Sequence, residues 1–353
     1  MTTTRMSRRR FMSTAAAGAA ATVALPNIIT RARALGKNEL VFVGFGGTYQ
    51  DGQTKALFEP FEKETGIKVI QTTGVDLAKL RAQVQSKNVE WDFISIPDRL
   101  RYTAVRDGLL MPLDYKVINA KDVMPALVTE YAVGAVTIPM LLTYSKTAFP
   151  GANAPKTWMD FWDAKKFPGP RGLYNAPTYI LEFALIADGV PKDKLYPLDV
   201  PRAFKSLDKV KEPVKVWWTQ FPQPGVLLKS GEITMTPWTR SITFILEGEP
   251  LAISYEGAAL TYEAWVVTKG APHADNAMKF INWALQPKPQ ADLTKYVAFG
   301  PTNSTATPLV DAKVRPLLSS DPENAKKGFL LSGDWWGPNL DKVNEQWNEW
   351  RLK

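Results

Sequence analysis

The sequence predicts an α/β fold in which strands and helices alternate around mostly parallel sheets, divided between two domains. Three observations carry this. The chain has 353 residues, enough for two domains of ordinary size. Beyond residue 38, short apolar runs alternate with amphipathic stretches that stop at glycine, which is the pattern of βαβ units. Apolar residues make up 45% and charged residues 22%, a balance that supports a real core, and no run of 18 uninterrupted apolar residues suggests a transmembrane helix.

The elements follow in order. ELVFVGF (39–45) reads as a buried strand and Gly46-Gly47-Thr48-Tyr49 as a loop. In DGQTKALFEPFEKETG, residues Leu57, Phe58 and Phe61 fall near one helical face and Gly66 ends the helix. IKVIQTT and VDLAKLRAQVQS give a second strand and helix; EWDFISIPD and RLRYTAVRDGLL give a third pair, stopping at Gly108. Further on, TWMDFWDAKKFPG is a short helix, RGLYNAP a strand and turn, and TYILEFALIADG a helix closed by Gly189. PRAFKSLDKV is helical, and VKVWWTQ, SGEITMTPW and LTYEAWVVTKG are strands. The tail is helical in NAMKFINWAL, QADLTKYVAF and LDKVNEQWNEW. Trp217-Trp218 and Trp335-Trp336 are consecutive pairs, so at most one of each pair is expected to face inward.

Residues 1–34 stand apart. SRRRFM precedes an apolar run of small residues and then Ala32-Arg33-Ala34, the n-region, h-region and cleavage site of an export signal. The paired arginines before Phe11 suggest the twin-arginine route, with an ordinary secretory signal as the alternative. Either route predicts a periplasmic mature protein. Removing the segment's six arginines (5, 8, 9, 10, 31 and 33) leaves 37 basic against 35 acidic residues. The formal charge of +8 therefore belongs largely to the signal, and no nucleic-acid partner is indicated. The absence of cysteine excludes thiolate nucleophiles and Cys-ligated metals. The single histidine, His273 in GAPHADN, reads as a solvated turn residue, so neither a His-based metal site nor a Ser-His-Asp triad is expected. No cofactor motif is present: GFGG lacks the Lys-Ser/Thr ending of a phosphate loop.

Several motifs, in a shared order, resemble the extracellular solute-binding proteins of ABC importers, and most closely their spermidine/putrescine-binding branch. They are GGTYQDGQTKALFEPFEKETGIKV, EWDFISIPD with DGLLMPLD, KTWMDFWDAKKFPG, LLKSGEITMTPWTRS and AFGPTN. The resemblance implies the two-lobed periplasmic-binding-protein fold, each lobe a mostly parallel sheet flanked by helices. It also implies hinge strands, closure on one small solute, and delivery to a permease with its ATPase. It places one lobe at 38–140 plus 265–353, the other at 141–264, and hinges near 138–143 and 260–268. A monomer without cofactor, metal or catalytic residues is expected. An exported carboxylate-dependent hydrolase is the remote alternative.

Two residues are anomalous. In TMTPWTRSIT the helix after the strand is predicted to open at Thr239, which puts Arg240 in a first turn, where a cation is electrostatically misplaced by up to ~1 kcal/mol. A ligand carboxylate would complete that pattern, taking two parallel hydrogen bonds from the guanidinium. The other explanation is a salt bridge to an acid on its own lobe. Glu263 interrupts an apolar strand, on the face of Thr261, Trp265 and Val267, where a lone carboxylate is costly unless a cation or donors meet it. By resemblance this strand is where polyamine binders hold a ligand ammonium. A solvent-facing strand-end acid, or a partner of Arg240, are the alternatives. Together the two predict a zwitterionic solute such as 4-aminobutyrate or an amino acid. A diamine is the alternative within the family, but Asn175 and Thr178 stand where polyamine binders carry acids, and Arg240 would repel a diamine. By the resemblance, Thr48, Tyr49, Trp238, Tyr262 and Phe299 complete the site, although with 12 Trp, 11 Tyr and 16 Phe any one ring is more simply core.

Overall fold

The computed structural model describes residues 36–353; the expected export signal, 1–34, and its paired arginines lie outside them. Eleven strands form one continuous sheet: β1 Glu39–Gly44, β2 Lys68–Thr73, β3 Phe93–Pro97, β4 Leu110–Met111, β5 Val133–Ser145, β6 Arg171–Tyr174, β7 Val214–Trp218, β8 Met235–Trp238, β9 Leu251–Thr268, β10 Gly300–Pro301 and β11 Phe329–Leu330. The main path runs β2-β1-β3-β9-β5-β8-β6-β7. Two parallel triplets, β2-β1-β3 and β8-β6-β7, flank an antiparallel pair of long strands, β9 and β5. β3 joins β9 at residues 263–267, whereas β8 joins β5 at residues 141–144, beside the opposite end of β9. Attaching the triplets at opposite ends of one ribbon gives two α/β domains sharing two crossing strands, as the resemblance implies.

β9 begins at Leu251, nine residues before the run that the sequence pattern marks as strand. Gly257 hides its start: φ is +71° there, a Cβ would lie 2.9 Å from the Trp158 ring, and the Trp158 indole donates to its carbonyl at 2.7 Å. A glycine kink of this kind breaks the two-residue alternation on which strand recognition depends. The predicted helix at 290–299 stops early as well. The observed helix is Pro287–Leu293, and the chain then turns before Phe299.

The final helix, Gly333–Leu352, belongs to the segment expected in the 38–140 lobe but packs on the other segment. Its Trp336, Val343, Trp347 and Trp350 bury in one cluster with Trp158, Phe183, Leu207 and Trp218, so its apolar face packs with the 141–264 segment. Its first turn meets the other domain through the helix Asp98–Arg106: a Cβ on Gly337 would lie 2.3 Å from the Tyr102 ring, so only glycine fits there. In each consecutive tryptophan pair one member is buried (Trp218, Trp336) and the other half-buried.

Buried polar groups fix the loops. Arg171 on β6 is fully buried and donates to the carbonyls of Phe161, Asp163, Phe167 and Gly169 at 2.7–3.3 Å. His273 is not the solvated residue that its turn composition suggests. Its side chain is 11% exposed, and Nδ1 lies 3.2 Å from the buried Asp92 carboxylate, which also receives the His273 backbone N–H. Glu182, on the helix Ile180–Ala187, accepts at one oxygen from Tyr196 (2.7 Å) and Trp336 (2.6 Å), and its other oxygen has no partner. Burial pushes this carboxyl up to about 7, against the lowering effect of the two donors.

Between the ordinary glutamate value of 4.5 and about 7, folded Glu182 holds a proton that the unfolded chain has released. Its contribution is therefore present at pH 4.5 and lost as pH rises through 7. Glu182→Gln should flatten that dependence, gaining ~2–3 kcal/mol relative to wild type between pH 5 and pH 8 in urea titrations. Parallel pH profiles for the two proteins would contradict a neutral Glu182.

Candidate functional site

The site is built outward from Glu263, near the centre of β9. Its register partners are Pro97 on β3 and Val136 on β5. The β5 register shifts between Gly134 and Val136, leaving Ala135 as a bulge next to Glu263. Bulges of this kind re-aim side chains. Gln290 holds the bulge: its amide donates to the Ala135 carbonyl (3.0 Å), while its oxygen accepts from the backbone of Thr302 (2.7 Å) in the AFGPTN turn. That turn therefore fixes the strand opposite Glu263.

Glu263 is half-buried as a residue, but its Oε2 is sealed and has no hydrogen-bond partner. Desolvation pushes the carboxyl up to about 7, with the Arg99 guanidinium acting in the opposite direction. The Tyr49 hydroxyl is also sealed without a partner; its pKa rises well above the usual phenol value, first by burial and then by the charge of Glu263. The nearby Ser95 hydroxyl acts in the lowering direction on Tyr49, yet the pair lacks full hydrogen-bond geometry and Ser95 too is unpartnered. Three orphaned buried oxygens, from β9, β3 and the first helix, are unusual, since native interiors pair nearly all such groups.

Tyr49 and Thr48 are positioned by the Gly46-Gly47 turn, whose φ values of +76° and +64° favour glycine, and they open the helix Gly47–Gln53. The Tyr49 ring meets Phe299 edge-on at 5.3 Å. The Thr48 hydroxyl accepts from the Arg240 guanidinium at 3.0 Å, joining residues 192 positions apart. Arg240 occupies the N-cap position of the short helix Ser241–Leu246, without a side-chain cap hydrogen bond, instead of lying in its first turn. Among the described residues no acid lies within ion-pair distance of Arg240, and Arg240 and Glu263 are not clasped together.

Arg240, Thr48, Tyr49, Phe299 and Glu263 thus form a connected set, and three expected members do not join it. Trp238 is fully buried: its indole donates to the Phe221 carbonyl (2.6 Å), and its ring packs 4.7 Å from Phe244 among Leu228, Ile233 and Leu251. It is core, not wall. Tyr262 points to the face of β9 opposite Glu263, by strand alternation, and its hydroxyl donates to Asp98. The Asn175 side-chain oxygen accepts from Trp347 and Arg351, both at 3.3 Å, so Asn175 ties down the final helix.

Two residues that the sequence reading misses enter the set. Arg99, the second residue of the helix Asp98–Arg106, lies near Glu263 and Tyr179. Tyr179 is buried with φ +73° and ψ −43°, a region where a non-glycine residue costs ~1–3 kcal/mol and which clusters at binding sites. Arg99 could have been noticed as a charge directly after a buried strand; nothing in the sequence marks the Tyr179 backbone. A separate hollow of about 330 Å³ lies at the other end of β8, by Thr234, Lys229 and Glu249, away from Arg240.

Residues 56–326 match the family described as bacterial extracellular solute-binding protein, which is most of the chain. The chain belongs to that family. Its relatives include a gamma-aminobutyric acid-binding protein of Pseudomonas aeruginosa, 32% identical over 89% of this chain and 91% of the relative. An ABC transporter substrate-binding protein from Bradyrhizobium japonicum has a solved structure that superposes with a TM-score of 0.84 at 37% identity, covering 88% of this chain and 99% of its own. The binding protein AgtB of A. tumefaciens R10, solved with agropinic acid, gives a TM-score of 0.75 at 42% identity, covering 89% and 99%. The two-domain fold is therefore that of a solute-binding protein of ABC transport, a family of transport proteins and not of enzymes. Among the described residues no helix is long and apolar enough to cross a membrane.

Core residues and members of the connected set should separate by denaturation of the ligand-free solute-binding protein. Trp238→Ala should cost ~3–5 kcal/mol. Tyr49→Phe, which deletes an unpartnered buried hydroxyl, should be neutral or stabilising by up to ~1 kcal/mol. A Trp238→Ala protein as stable as wild type would contradict its place in the core.

Proposed function

We propose that this solute-binding protein captures a small zwitterion, 4-aminobutyrate or an amino acid of similar reach, by hinge closure and hands it to an ABC permease with its ATPase. The carboxylate pairs with Arg240 beside Thr48, and the ammonium meets Glu263 among Tyr49, Ser95 and Phe299. The observation that carries this reading is the sealed, unpartnered Glu263 oxygen in the same side-chain set as an Arg240 with no acid of its own. Burying a carboxylate costs several kcal/mol unless a cation arrives, and an ammonium is that cation. The gamma-aminobutyric acid-binding relative supports the same ligand class. A polyamine fits poorly, because it brings two cations to a groove that already holds two guanidiniums and one carboxylate.

In this proposal the lobes are 38–140 with 265–332 and 141–264 with the final helix, and the hinge lies in 138–143 and 260–268. The mature protein is a periplasmic monomer exported through its paired arginines.

A thermal-shift screen of 4-aminobutyrate, amino acids, putrescine and spermidine tests the ligand class. At a hundred times its dissociation constant a true ligand adds ~2.7 kcal/mol. Arg240→Ala and Glu263→Gln should each weaken 4-aminobutyrate by ~10–100-fold, as expected for losing one charge-assisted contact, while both variants stay folded. A preference for putrescine over 4-aminobutyrate would overturn the reading, as would an Arg240→Ala protein that unfolds.

A further inference from the structure

The Arg99 guanidinium is a second cation near the proposed site, and neither charge of a monocarboxylic zwitterion answers it. Its placement is rigid. Pro97 and Glu263 are register partners on β3 and β9, and Arg99 follows two residues later at the opening of the helix Asp98–Arg106. That helix start is clamped from behind: a Cβ on Gly333 of the final helix would lie 1.9 Å from Asp98 Oδ2. The adjacent acid is already engaged, because Asp98 accepts from Tyr262 and from Arg101 (2.6 Å). Arg99 itself is half-buried and makes no ion pair or hydrogen bond among the described residues, although its charge reaches both Glu263 and Tyr179.

Tyr179 comes from the 141–264 segment, is held in a strained backbone conformation, and lies within electrostatic reach of Arg99 and Glu263. Its hydroxyl has no hydrogen-bond partner among the described residues and, unlike that of Tyr49, is not sealed from solvent. Burial pushes it up to about 12, so at neutral pH it remains a donor. A guanidinium from one segment and a phenol O–H from the other lie within electrostatic reach of each other, and neither has an acceptor among the described residues.

Charge balance gives the ligand class. With Arg240, Arg99 and an ionised Glu263 the groove carries one net positive charge. A monocarboxylic amino acid is neutral and leaves that charge standing; an amino acid with a second carboxylate cancels it.

We infer that the groove selects amino acids bearing a second acidic group, and that Arg99, with the Tyr179 hydroxyl, is the specificity-determining residue that receives it. This rests on the zwitterion reading above, with Arg240 and Glu263 in their proposed roles. L-glutamate and 4-aminobutyrate are the decisive pair, since they differ only by one carboxylate on the same carbon skeleton.

Calorimetry on the mature protein at pH 7.5 should show L-glutamate binding ~10–100-fold more tightly than 4-aminobutyrate, the range that one charge-assisted contact supplies. Arg99→Gln should bring the two affinities within about threefold of each other, and Arg99→Lys should restore part of the preference, as a retained charge would. A residue that merely supported the fold would shift both ligands alike and leave the ratio unchanged. Equal affinities in wild type, or an Arg99→Gln protein that keeps the wild-type ratio, overturns the role of Arg99 and leaves the zwitterion reading in place. Binding of glutarate or putrescine with neither amino acid overturns the zwitterion reading itself. Binding of none of these probes overturns both.

Discussion

Everything distinctive in this protein follows from a carboxylate held away from water on the central strand. Glu263 lies where β9 pairs with β3 on one side and with the bulged β5 on the other, and its Oε2 has no donor. A lone buried carboxylate is among the most expensive features a fold can carry, and desolvation pushes its pKa up to about 7. Such a group answers strongly to an arriving cation, because pairing removes a penalty as well as forming a contact. This is the physical basis for placing a ligand ammonium there.

The architecture turns that local cost into a device. β5 and β9 cross between two parallel triplets, so residues near the middle of the ribbon face groups from both domains. Thr48 and Tyr49 arrive from one side on a glycine turn, and Arg240 and Tyr179 from the other. The final helix braces this arrangement, packing its tryptophans into the 141–264 segment while its glycines admit the helix Asp98–Arg106 at close range. In the proposed closure around a solute, exposed donors and orphaned oxygens are exchanged for paired ones, and binding energy comes from that exchange.

Much of this was legible in the residues themselves. The strand and helix order and the Gly66 stop come from periodicity, and the oddity of Glu263 from the cost of a lone charge in an apolar strand; the first-turn position expected for Arg240 does not hold, since Arg240 precedes its helix. What escaped was set by tertiary context. Trp238 and Tyr262 occupy motif positions that a sequence cannot orient, and neighbours decided them: Phe244 and the Phe221 carbonyl for one, Asp98 for the other. Gly257 masked the first half of β9 because a positive φ interrupts the alternation a strand otherwise displays. His273 looked like a surface turn residue until Asp92, 181 positions away, supplied its partner. Arg99 and Tyr179 matter only through proximity across the fold, and no local pattern encodes that.

The most direct measurement is the proton balance of binding. If an ammonium pairs with Glu263, the carboxyl is driven fully ionised on binding, and the proton it held must leave. Calorimetric titration of 4-aminobutyrate in buffers of different ionisation enthalpy at pH 7 should then show release of roughly half a proton per ligand, fading toward zero by pH 9. Binding with no proton exchange across this range, or with uptake, would contradict the role assigned to Glu263.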